Sequence, residues 1–142
     1  MAKINVNETE AAKRQIDAAI RLLFANKDPV AIHTLSAAAF RIFRDLSENR
    51  SDSFMNHQIK SMIKPGMKGE FWKAMNTPAN FLKQADKDPN AILDNVDEEV
   101  NDCLLFTSCL YHQDLGNQFT PEMLTLVCWY KALHPEFLND SS

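Results

Sequence analysis

The chain has 142 residues, 45% hydrophobic and 24% charged, which is the profile of one soluble globular domain. No run approaches the roughly 20 apolar residues that a membrane span needs, and the opening MAKINVNETE lacks the basic-then-apolar profile of a secretory leader. A cytoplasmic location with no membrane partner is therefore expected. The three glycines form neither a GxGxxG nor a GxxxxGK[ST] loop, which excludes dinucleotide and P-loop phosphate binding.

The elements read as helices from the first punctuation onward. Asn7 with Glu10 forms a capping box that opens a helix near residues 8–25, with Ala12, Ile16, Ala19, Ile20 and Leu23 in one apolar stripe. Asp28 before Pro29 pairs an N-cap with a proline at the first helical position, and the helix it starts runs to about residue 46. Ile32, Leu35, Ala39, Ile42 and Leu46 line one side of this second helix, while Ala37, Phe40 and Phe43 widen its apolar surface. That breadth predicts a central position, and also a face left over for a second copy.

Residues 47–53, SENRSDS, read as a loop, and residues 54–64 as a short helix before Pro65-Gly66. Cap-plus-proline starts recur at Thr77-Pro78, Asp88-Pro89 and Thr120-Pro121. Residues 97–115 carry Val100, Cys103, Leu104, Thr107, Leu110 and Tyr111 on one side, with acidic residues in the first turn and Gly116 as a stop. A last helix is expected from Pro121 to about His134. Residues 1–7 and 139–142 are expected to fray. No alternating run is long enough for a strand. The expectation is a compact, single-domain, all-α bundle of about five to seven helices covering residues 1–142.

Charge is unevenly spread along this bundle. Residues 1–40 carry five basic and four acidic groups, residues 41–73 seven and four, and residues 74–142 three and eleven. The acidic second half argues against broad nucleic-acid binding, which depends on phosphate neutralisation. The middle third is a candidate patch for an acidic partner.

DKDPNAILDNVD, residues 86–97, places oxygen-bearing side chains where an EF-hand loop has them: Asp86, Asp88, Asn90, Asp94 and Asp97. The turn position holds Ala91 instead of glycine, and the last position holds Asp97 instead of the longer bidentate glutamate. Helix capping by Asp88 and Asp97 explains the pattern better, so no metal or other cofactor is expected. Cys109, His112, Cys128 and His134 do not make a zinc site, because Cys128 and His134 are six apart on one helix and diverge. Three cysteines cannot all pair within one chain, and reduced, mostly buried thiols are expected.

The segment from Ile59 to Met75 interleaves lysines with Met and aromatic residues. It is the candidate partner surface: Lys60, Lys64, Met67, Lys68, Phe71 and Trp72. Arg50 and His57, in R-SDSFMN-H, resemble the R-x4-6-H signature of HEPN domains. That resemblance implies a ribonuclease, or an inactive relative, in which the pair acts on RNA across a homodimer interface. Ser51 stands where the family has Asn or Asp.

HTLSAAAFRIFRDL, residues 33–46, and NTPANFLKQADKDP, residues 76–89, resemble a family of short, uncharacterised all-helical bacterial proteins with an N-F-x-K-x-A-D-x-D-P pattern. The resemblance directs attention to the polar residues in these stretches: His33, Asn80, Lys83, Asp86 and Asp88. They would form a site for a small polar ligand, with the alternative that His33 is a satisfied core histidine. The leading expectation is a non-enzymatic interaction or small-ligand-binding module, as a homodimer or with a protein partner. The HEPN-like ribonuclease is the alternative.

Overall fold

The computed structural model describes residues 3–49, 90 and 98–135. Among them are four helices and no strand: α1 (Glu8–Phe24), α2 (Pro29–Glu48), α3 (Glu98–Asp114) and α4 (Pro121–Leu133). The expected helix at 54–64 and the starts at Thr77 and Asp88 lie outside the described residues. No helix among those described is long and apolar enough to cross a membrane.

The starts of α1, α2 and α4 are each fixed by a side chain that takes one of the backbone N–H groups a helix leaves unbonded. Asn7 Oδ1 accepts from the Glu10 N–H at 2.8 Å, Asp28 Oδ1 from Val30 at 3.0 Å, and Thr120 Oγ1 from Met123 at 3.1 Å. Only half of the expected capping box forms. The Glu10 carboxylate turns instead to Lys13 and Arg14, each at 3.1 Å, and these cations hold its pKa below the usual range.

The ends of α1 and α3 share one device. Asn26 (φ 57°) and Gly116 (φ 97°) enter the left-handed region. The N–H of the next residue then returns to a carbonyl five positions back, Lys27 to Leu22 at 3.0 Å and Asn117 to His112 at 3.3 Å. Gly116 was legible as a stop; Asn26 is the second residue type that tolerates this conformation.

α1 and α2 form an antiparallel hairpin, as do α3 and α4. Contacts between equivalent ends, His33 with Asn101 and Phe43 with His112, make α2 and α3 parallel. α2 therefore ends at the opposite end of the bundle from where α3 begins. α1 and α3 each touch the other three helices, whereas α2 and α4 lie apart.

The stripe expected on α1 is the buried one, with Ala12, Ile16, Ala19 and Ile20 inside and Leu23 half-buried. On α2 the buried face is rotated from the expected one. Ile32, His33, Ser36, Ala39, Phe40, Phe43 and Ser47 are inside, while Leu35, Ile42 and Leu46 are half-buried. Ser36 explains part of the shift: its hydroxyl donates to the Ile32 carbonyl at 2.7 Å and so packs as a small, satisfied residue.

Among the four described helices the most enclosed is α3. Residues 104–109 are buried without interruption, and at about 100° per residue six in a row cover the whole circumference. α2 keeps an exposed strip at Thr34, Ala38 and Asp45. Aromatic rings bind the second hairpin to itself and to α2: Phe106 stacks on Tyr130 at 4.3 Å, and Phe40 meets Tyr111 edge-on at 5.7 Å.

Candidate functional site

Two features of the four helices carry chemistry: a polar seam between α2 and α3, and an apolar outer face on α4. The seam begins at His33, which is 1% exposed. Its Nδ1 lies 2.9 Å from Asn101 Oδ1, and Asn101 Nδ2 donates to the Pro29 carbonyl at 3.0 Å. A carbonyl only accepts, so Pro29 fixes which end of the amide is Nδ2. Asn101 Oδ1 then faces His33, and Nδ1 must carry the donated proton. Asn101 thus ties the first turn of α2 to the first turn of α3. Sequence reasoning missed it, because a lone Asn behind an acidic helix start looks like a surface residue.

The far end of the seam is built differently. His112 is 2% exposed, lies edge-on to Phe43 at 5.7 Å, and its Nδ1 has no hydrogen-bond partner. Burial holds its pKa below the ordinary value, Lys13 lowers it further, and Glu10 works in the opposite direction. Ser108, one turn earlier on α3, and Ser47, one turn beyond Phe43 on α2, are also buried with unbonded hydroxyls. Above this end an open cleft of about 660 Å³ is lined by Asn7, Thr9, Glu10, Leu46, Leu115 and Asn117.

α4 presents the reverse arrangement. Met123, Leu126, Val127 and Tyr130 point inward, and Pro121, Leu124, Thr125, Cys128, Ala132 and Leu133 are exposed. Leu124 and Leu133 are 54% and 55% exposed, and no exposed residue of α4 is charged. Beside it, Phe24 at the end of α1 is 46% exposed and meets Trp129 edge-on at 5.4 Å. A groove of about 460 Å³ between the two helices is lined by Ile20, Phe24, Ala25 and Pro121 together with the Arg21–Glu122 pair.

Two polar ties fix α4 against α1. Thr120 donates its hydroxyl proton to Asp17 Oδ1 at 2.7 Å, and Arg21 pairs with Glu122 at 3.1 Å. Burial pushes the Asp17 carboxyl up, and the hydrogen bond from Thr120 offsets part of that.

The thiols differ in kind. Burial pushes Cys103 up to about 11 and Cys109 higher still, while Cys128, exposed on the outer face, is the exception among the thiols. Cys109 and His112 are interior and Cys128 exterior, and no three His, Cys, Asp or Glu side chains among the described residues converge on a metal position.

Of the residues singled out from sequence, His33 is described and is paired with Asn101 in the core. Arg50, His57, Asn80, Lys83, Asp86, Asp88, Lys60, Lys64, Met67, Lys68, Phe71 and Trp72 lie outside the described residues. From the acidic stretch, Asn90 alone is described, as an exposed turn residue. Comparison of the chain with protein-family models, with curated proteins and with solved structures finds no match.

Proposed function

We propose that the protein is a non-enzymatic helical interaction module, and that the outer side of α4 is its docking face. The observation that carries this reading is the uncharged exposed strip of α4, with Leu124 more than half exposed near its start and Leu133 at its end. Single exposed apolar residues are ordinary on a protein surface; a row of them along one helix, whose only charges, Glu122 and Lys131, are half-buried, is the pattern of a surface that another chain covers. Phe24, 46% exposed, extends the same apolar character onto α1. The Thr120–Asp17 and Arg21–Glu122 ties hold the face on a rigid support, so docking it requires little reordering.

The test compares wild type with Leu124→Glu, after circular dichroism has established that both are equally helical. The reading expects wild type to hold a second chain at a fixed ratio, its own or another, and the variant to lose it. A wild type that holds no second chain, or a variant that keeps it unchanged, contradicts the reading.

A further inference from the structure

We draw no further inference here: the strongest candidate, the open cleft of about 660 Å³ between the first turn of α1 and the ends of α2 and α3, is lined by neither of the buried, unpartnered side chains beneath it, His112 and Ser47, so nothing in the structure says what would occupy it.

Discussion

The α2–α3 seam and the outer face of α4 invert the usual distribution of side chains. The seam is buried yet holds His33, Ser36, Ser47, Asn101, Ser108 and His112, whereas the α4 face is exposed yet carries no charge. The inversion shows that burial and polarity have to be judged by partnership. Ser36 is satisfied by its own helix and the Nδ1–H of His33 by Asn101, which lowers the cost of burying them. Within the seam, the two histidines sharpen the point. They are buried almost equally, but the Nδ1 of one donates to a fixed acceptor while the Nδ1 of the other lies unpartnered against Phe43.

The largest effect is expected from breaking the Asn101 tie. Asn101→Ala leaves the His33 Nδ1–H without the partner it has now and removes a donor from the Pro29 carbonyl. The loss should be about 3 kcal/mol, read from chemical denaturation. A loss below about 1 kcal/mol would mean that water or another group replaces the amide.

The unsatisfied end should respond to acid. The folded pKa of His112 is depressed below its unfolded value near 6.5, so the unfolded chain binds the proton more readily. Stability from this group is full above the unfolded pKa and falls as pH drops from there toward the folded pKa, by at most about 1.4 kcal/mol per pH unit. His112→Leu removes both the orphan nitrogen and the titration. Melting curves between pH 7.5 and 5 should therefore be flatter for the variant. An identical pH dependence in both proteins would show that His112 is not the responding group.

A smaller effect tests the device that turns α3 toward α4. Gly116 sits at φ 97° with open space where a Cβ would project, so Gly116→Ala carries backbone strain without a clash. A loss of about 1 kcal/mol is expected. The smallest effect belongs to the outer face. Leu124→Ala should change the stability of dilute, unassociated protein by less than about 0.5 kcal/mol, because that side chain packs on little within its own chain. A larger loss would place Leu124 in the fold and not on a docking surface.

Much of the described fold was legible in the sequence, because its signals are local. Asn7, Asp28-Pro29, Thr120-Pro121 and Gly116 each act within one turn of the chain, and they set the helix ends to within a residue or two. The α1 stripe was legible for the same reason. The α2 face was misjudged because hydrophobicity alone hides a serine that satisfies itself and a histidine whose partner is 68 positions away.

The enclosure of α3 depends on three neighbours, and its own pattern shows no single apolar side. The apolar breadth that suggested a second copy was assigned to α2, yet the exposed face belongs to α4. A 13-residue helix that is apolar on both sides reads as core until its surroundings are known.

The most direct test of this account is the mass of the untagged protein in solution, followed by light scattering across a concentration series. The account predicts that the wild type carries a second chain beyond its own 16.2 kDa that dissociates on dilution, and that a Leu124→Glu variant stays at one chain mass with its helical circular dichroism unchanged. A wild type that holds no second chain of either kind at any concentration, or an assembly that persists in Leu124→Glu, would contradict it.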